Sequence, residues 1–138
     1  MSRKTKYPDT DTFMYHNSNP KNRITSDCVV RALCTALNVS YHQVLTELVA
    51  LQEETGYAFN DKTAYSKYLE RKGWVKHPQP RKPNNTKYTG EEFCHRVDKD
   101  VRYIVHMGSQ HLTTIIGGKV IDIWDCTEGC VGNYWTLK

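Results

Sequence analysis

The sequence lacks any long apolar run, which excludes the usual membrane-spanning helix. No stretch approaches the roughly 18 apolar residues that such a helix needs, and hydrophobic residues make up only 38% of the 138 residues. The basic residues 1–7 are not followed by an apolar stretch, so they do not resemble a secretory signal. We therefore expect a cytoplasmic protein, in the host cytoplasm if a phage encodes it, with no membrane partner.

A nucleic-acid-binding motif is also missing, although the net charge is +4. Much of this charge lies in residues 1–7 and 76–87, whose composition is typical of solvated tails and loops. Because no motif accompanies the charge, nucleic acid is not an expected partner. The sequence leaves the oligomeric state open.

The five cysteines lack the even number and regular spacing of a disulfide framework. In a cytosolic chain of this length they are expected to be free thiols, and the core is expected to fold without disulfides. Cys126 and Cys130 have the spacing of zinc ligands, but Cys94 and His95 are adjacent and form a poor chelating pair. We therefore expect no metal and no cofactor.

Capping residues and hydrophobic periodicity predict helices first and strands second. Helices are predicted after Ser26-Asp27, after Ser40, after Asn60 or Asp61, and after Thr89. Strands are predicted at 101–107, 111–116, 120–124 and 132–137, a short strand fits residues 12–15, and 76–88 is predicted as an exposed connector. The expected fold class is α+β, with N-terminal helices followed by a small antiparallel sheet. Residues 1–23 are interpreted as a polar N-terminal arm and residues 24–138 as a single domain.

Cys28 differs from the other cysteines because it lies at the start of the first clear helix. Free N–H groups and the helix dipole at that end stabilise a thiolate, which lowers the pKa of the thiol and makes it a nucleophile. The same N–H groups can hold an oxyanion as it forms. Burial as a small hydrophobic residue is the alternative interpretation, and it suits Cys34, in the middle of the helix.

His111 opens a predicted strand, and acidic residues follow on the next strand. If the hairpin loop is 117–119, His111 pairs with Asp125, and directly opposite side chains have Cβ atoms about 5 Å apart. If the loop is one residue shorter, Asp122 shares the face of His111, opposite Thr113. We prefer the first register, so Asp125 is the predicted partner of the imidazole and Asp122 the alternative acid.

The order of these residues resembles that of papain-like cysteine peptidases: a cysteine that starts the first helix, a histidine that opens a late strand and an acid that ends the next strand. Residues 27–33, Asp-Cys-Val-Val-Arg-Ala-Leu, are similar to the nucleophile helix of small bacterial and phage members. Residues 111–125 are similar to their histidine hairpin, and the layout also resembles the compact Josephin-type deubiquitinases. Many members have glycine before the histidine, where this sequence has Gln110, and His106 is the alternative base.

The resemblance implies a papain-like domain with a catalytic triad of Cys28, His111 and Asp125. It also implies a side-chain amide upstream of the nucleophile that donates to the oxyanion. No glutamine precedes Cys28, and Asn22 is therefore the candidate for this role. Asparagine is equally typical of a turn, which is the alternative interpretation of Asn22.

The expected function is that of a thiol protease or related hydrolase, which cleaves a peptide or isopeptide bond of a protein or peptide substrate through a thioester. Amidases and acyltransferases use the same set of residues, so the sequence does not separate these reactions. The alternative function is that of a papain-like binding module with an inactive site, such as a phage effector that sequesters a host protein. The reactivity of Cys28 distinguishes the two functions.

Overall fold

The arrangement of helices and strands is taken from a computed structural model that describes residues 2–137. The helices within these residues are α1 (Arg3–Lys6), α2 (Cys28–Leu37), α3 (Tyr41–Thr55), α4 (Lys62–Arg71) and α5 (Gly90–Arg96). The strands are β1 (Phe13–Tyr15), β2 (Trp74–His77), β3 (Tyr103–Met107), β4 (His111–Ile116), β5 (Lys119–Asp122) and β6 (Val131–Leu137). The predicted α+β class is confirmed. None of the helices formed by residues 2–137 is long and apolar enough to cross a membrane.

The strands of the described residues form one mixed sheet in the order β1-β5-β4-β3-β6-β2. The sequence predicts an antiparallel sheet, and this is correct for every neighbouring pair except β1 and β5, which run parallel. β1 lies in the segment interpreted as a polar arm, yet Phe13 is buried in the core. Both edge strands have only three or four residues, so β2 shows no clear period in the sequence.

The sheet separates two apolar cores. On one face, helices α2, α3 and α4 pack with Ile104, Leu112 and Trp135 of the strands. On the other face, Phe93 of α5 packs with Val105 and its neighbours. Successive residues of a strand point to opposite faces, so Ile104 and Val105 contribute to different cores. Helices thus cover both faces of the sheet. We call the end of the sheet at which β4 begins, beside the start of α2, its open end, because a surface cavity lies there.

The helix boundaries follow the predicted caps. Ser40 and Asp61 cap α3 and α4 through their side chains, and Thr89 and Glu92 form a capping box at α5. These side-chain bonds satisfy N–H groups that the first helical turn leaves free. Asp27 takes the N-cap position of α2, but its side chain makes no capping hydrogen bond. The N-terminus of α2 therefore differs from those of α3, α4 and α5.

The hairpin between β4 and β5 turns on Gly117-Gly118, as predicted, but its loop has only these two residues. Both glycines have positive φ, 62° and 73°, as a type I′ turn requires. The preferred longer loop, which would pair His111 with Asp125, is therefore wrong. The shorter register, which was the alternative, places Asp122 opposite Thr113 on the neighbouring strand, and the two side chains are hydrogen-bonded.

Candidate active site

Cys28, His111 and Asp122 converge at the open end of the sheet, below a surface cavity of about 680 Å³. Cys28 is the first residue of α2 and His111 the first of β4, and both line the cavity. Asp122 is the last residue of β5 and is buried behind His111. Because β4 and β5 are antiparallel, the start of one and the end of the other lie at the same end of the sheet.

The N-terminus of α2 presents backbone donors that the helix itself does not use. The helical ladder begins with the hydrogen bond from the Arg31 N–H to the Asp27 carbonyl oxygen (3.0 Å). The N–H groups of residues 28–30 come before this bond, and the Asp27 side chain does not cap them. These groups and the positive end of the helix dipole favour an anion at Cys28.

The imidazole of His111 is held by Asp122, with 2.6 Å between Nε2 and Oδ2. Nδ1 is therefore the ring nitrogen that remains for Cys28. Trp124 lies against the ring, with 5.0 Å between the ring centroids. Burial lowers the pKa of His111, but its interactions with Asp122 and with two neighbouring thiols outweigh burial and raise this pKa well above its usual range. These contacts therefore favour the protonated form of the imidazole.

Asp122 is a buried carboxylate that accepts four hydrogen bonds. Besides His111, Oδ2 accepts from Thr113 Oγ1 at 2.7 Å. Oδ1 accepts from Arg31 Nη1 at 2.8 Å and from the Ile123 N–H at 2.7 Å. Burial raises the pKa of Asp122, but the imidazole, the hydroxyl and the guanidinium outweigh burial and lower this pKa below its usual value. The carboxylate therefore stays ionised and fixes the plane of the imidazole.

Asp125, the acid preferred from the sequence, lies away from the imidazole. Its Oδ1 accepts from Thr127 Oγ1 (2.6 Å) and from the Thr127 N–H (3.0 Å), so Asp125 shapes the turn after β5. The predicted pairing of His111 with Asp125 is wrong, and the alternative acid, Asp122, makes the contact. The physical reason is the hairpin loop, which is one residue shorter than the preferred register required.

Asn22, the candidate oxyanion donor, is exposed and lies in a turn. Its N–H donates to the Asn19 carbonyl oxygen (2.9 Å), its φ is 55°, and its Oδ1 accepts from Asn17 Nδ2 (3.4 Å). Among the described residues, those that line the cavity do not include Asn22. The structure thus brings Cys28 and His111 together, but it does not bring Asn22 to them.

The thiol of Cys28 differs from the buried thiols in the direction of its pKa shift. Burial raises the pKa of Cys28, but the imidazole of His111 and the backbone N–H of Leu112 outweigh burial and lower this pKa below its usual value. Burial dominates at the other buried thiols and raises the pKa of Cys34, Cys94 and Cys126. Cys28 therefore has the largest thiolate fraction of these four cysteines.

His111, Asp122 and Cys126 could also approach a single metal ion, since their ligand atoms lie within 4.8 Å of one another. The carboxylate, however, already binds the guanidinium of Arg31 at 2.8 Å. A buried positive charge beside the carboxylate disfavours a cation at the same place. These groups suit a hydrogen-bonded acid–base pair better than a metal centre.

His106, the alternative base, lines the cavity from β3. It is half-buried, and burial together with the charges of Lys62 and His111 lowers its pKa. Of the two imidazoles, His111 is the one whose ring bonds to a carboxylate. A base needs such a partner to fix its orientation and stabilise its protonated form, which favours His111.

Sequence reasoning did not identify Arg31 and Trp124 as parts of the site. Arg31 interrupts the apolar run 29–33 of α2, and a charged residue among core positions needs a buried counter-charge. A charged residue within this apolar run is therefore a sequence signal that could have identified Arg31 as part of the site. The position of Trp124 depends on the path of the chain after β5, which no sequence pattern indicates.

Comparison with known proteins does not assign this chain to a family. No protein-family model matches the chain, and no match was found among curated proteins or among solved structures. The chemistry of the site is therefore inferred from its own residues.

Proposed function

We propose that this chain is a cysteine-dependent hydrolase of papain-like layout that cleaves a peptide or isopeptide bond. The observation that supports this most is the position of Cys28 at the open N-terminus of α2, beside an imidazole held by a buried carboxylate. Cys28 is then the nucleophile, His111 the general acid and base, and Asp122 the acid that orients the imidazole. These are the three parts that nucleophilic acyl transfer needs.

In the first half of the reaction, the Cys28 thiolate attacks the carbonyl carbon of the scissile amide, and the C=O electron pair moves to the oxygen. The N–H groups at the N-terminus of α2 donate hydrogen bonds to this oxyanion. As the intermediate collapses, the C–N bond breaks and protonated His111 gives its proton to the leaving amine. The products of this half are the free amine and a thioester on Cys28.

In the second half, neutral His111 takes a proton from water while the water oxygen attacks the thioester carbon. Collapse of this intermediate breaks the C–S bond and releases the carboxylic acid. Cys28 leaves as a thiolate beside protonated His111, so the starting ion pair is restored. Asp122 keeps its charge throughout and stabilises the imidazolium without accepting its proton.

The cavity suits a segment of polypeptide as substrate. Its volume of about 680 Å³ is within the usual range of ligand sites. The lining combines the aromatic residues Tyr65 and Trp124 with the polar residues Ser109 and Gln110. Such a surface offers apolar contacts to side chains and hydrogen bonds to a peptide backbone.

Selective alkylation of Cys28 tests the proposed function. At pH 6 a thiol with the ordinary pKa of about 8.5 is less than about 1% thiolate, so exposure alone does not make it reactive. Cys130 is the exposed cysteine of the chain and serves as the internal control. We expect iodoacetamide at pH 6 to modify Cys28 at least about tenfold faster than Cys130, as measured by peptide mapping.

Two variants, Cys28→Ser and Cys130→Ser, assign each labelling signal to its residue. A mixed peptide library, analysed by mass spectrometry, then reports hydrolysis by the wild type and its absence in Cys28→Ser. Equal labelling rates, or faster labelling of Cys130, would contradict the proposed function and leave the binding module as the better interpretation.

A further inference from the structure

Arg31 lies one turn inside α2, buried, with its guanidinium between two carboxylates. Its Nε donates to Asp27 Oδ1 at 2.7 Å, and its Nη1 donates to Asp122 Oδ1 at 2.8 Å. All three side chains are almost fully shielded from solvent. Charge pairs in such surroundings are screened very little, so their geometry has a strong effect on neighbouring charges.

Asp27 is bound on both of its oxygens. Oδ1 accepts from Arg31, while Oδ2 accepts from Tyr41 Oη (2.7 Å) and Asn19 Nδ2 (2.9 Å). Aspartate is among the strongest N-cap residues, yet here these partners draw its carboxylate away from the helix end. The backbone N–H groups beside Cys28 remain free for a substrate oxyanion as a result.

The negative charges at the site come close to being compensated only when Arg31 is counted. The thiolate of Cys28, Asp122 and Asp27 supply three negative charges, while protonated His111 supplies one positive charge. Arg31 supplies the second positive charge, and the dipole of α2 adds a partial one. Without Arg31 the buried carboxylates would be under-compensated, which is costly in this environment.

We propose that Arg31 is a positioning residue of the active site, whose guanidinium ties the nucleophile helix to the His111–Asp122 pair and diverts Asp27 from capping that helix. The inference rests on the proposed function, because it assigns Arg31 a role in the same reaction. Arg31 acts through Asp122 and Asp27 and does not touch the reacting atoms. The assignment is supported by the hydrogen bonds that Arg31 donates to the two buried carboxylates of Asp27 and Asp122.

The pH profile of Cys28 alkylation measures this role separately from stability. The other titratable groups that face the cavity belong to several elements: Arg3 of α1, Asp61, Lys62 and Tyr65 at α4, His106 of β3 and His111 of β4. None of these is changed in the experiment. The variants are Arg31→Gln, which removes the charge, and Arg31→Lys, which keeps it but lacks the planar fork that bridges two carboxylates.

Arg31→Gln is expected to shift the midpoint of the alkylation profile of Cys28 to higher pH by about one unit or more. Arg31→Lys is expected to give a smaller shift in the same direction and to retain part of the hydrolytic activity. Arg71→Gln is the matched control, because Arg71 also pairs with a carboxylate, Glu54, but on the exposed surface. Its profile should superimpose on that of the wild type.

Thermal unfolding is measured for each variant, so that a purely structural role can be recognised. A lower melting temperature with an unshifted alkylation profile would overturn the positioning role while leaving the proposed function intact. If Arg31→Gln does not fold, Arg31→Lys decides alone: a profile and a turnover equal to those of the wild type would also overturn it. The reactivity of Cys28 in the wild type tests the proposed function separately.

Discussion

Cys28 and Cys126 both interact with His111, yet their thiols have opposite pKa shifts. Cys126 is almost completely buried, and the charge of Asp122 adds to burial in raising its pKa. Cys28 is half-buried at the end of a helix and is also approached by the Leu112 N–H. Contact with an imidazole is thus not sufficient to lower the pKa of a thiol, because burial and the charge of Asp122 outweigh that contact at Cys126, whereas at Cys28 the Leu112 N–H adds to it.

The largest expected difference is between a variant that lacks the Cys28 thiol and one that lacks the Cys126 thiol. Cys28→Ala should reduce hydrolysis by about a thousandfold or more, because no other group can form the thioester. Cys126→Ala should retain hydrolysis within a few-fold and should still label at Cys28, at the cost of a small cavity in the core. Initial rates on a peptide library and labelling of Cys28 measure both effects. Full activity of Cys28→Ala would refute the nucleophile assignment.

The two imidazoles of the cavity provide the next comparison. His111→Ala should reduce hydrolysis almost as much as loss of the thiol, because His111 transfers a proton in each half of the reaction. His106→Ala should have an effect of less than about tenfold, since its ring is not bonded to a carboxylate. Thermal melts of both variants serve as the control for folding. A larger loss in His106→Ala than in His111→Ala would reverse the assignment of the base.

The two candidate acids, Asp122 and Asp125, should differ in how much their substitution lowers kcat. Asp122→Asn should reduce kcat by about tenfold to a hundredfold, or about 1.4 to 3 kcal/mol, because an amide still accepts a hydrogen bond but does not stabilise the imidazolium. Asp125→Asn should leave kcat close to that of the wild type, since this side chain bonds to Thr127. The ratio of the two kcat values is the measurement. A stronger effect of Asp125→Asn would restore the longer hairpin register.

The smallest expected effect is on the pH dependence of thermal stability. The pKa of Asp122 in the folded protein is below its usual value of 3.8, so ionised Asp122 stabilises the fold above that pH, and the contribution is lost as the pH falls through the lowered pKa. The raised pKa of His111 acts in the opposite direction: its contribution is complete below 6.5 and is lost as the pH rises through the raised value. Melting temperatures of the wild type and Asp122→Asn should therefore differ most near neutral pH and converge in strong acid. A difference that stays constant with pH would show that Asp122 is not ionised in the fold.

The helices of this chain could be predicted from the sequence because their signals are local. The side chains of Ser40, Asp61 and Thr89 cap the first turns within two or three residues of themselves, and these caps are confirmed. The position of Cys28 at the start of α2 follows from the same kind of signal. Local propensity therefore places Cys28, the proposed nucleophile, at a helix start without knowledge of the rest of the fold.

The acid could not be chosen from the sequence because the choice depends on one residue of hairpin loop. Gly117-Gly118 indicates a turn but permits loops of two or three residues, and a shift of one residue exchanges Asp125 for Asp122. Arg31 and Asp122 are 91 residues apart, so their contact has no local signal. The parallel pairing of β1 with β5 is equally non-local, which is why the sheet was expected to be wholly antiparallel.

The pairing of β1 with β5 also has a consequence for the order in which a growing chain folds. β1 and α2 leave the ribosome early, but β1 finds its neighbour in the sheet only after β5 has been synthesised. Until then, Cys28 has neither its imidazole nor the carboxylate that holds it, so its thiol keeps ordinary reactivity. The candidate site therefore cannot assemble until the chain has been synthesised as far as Asp122.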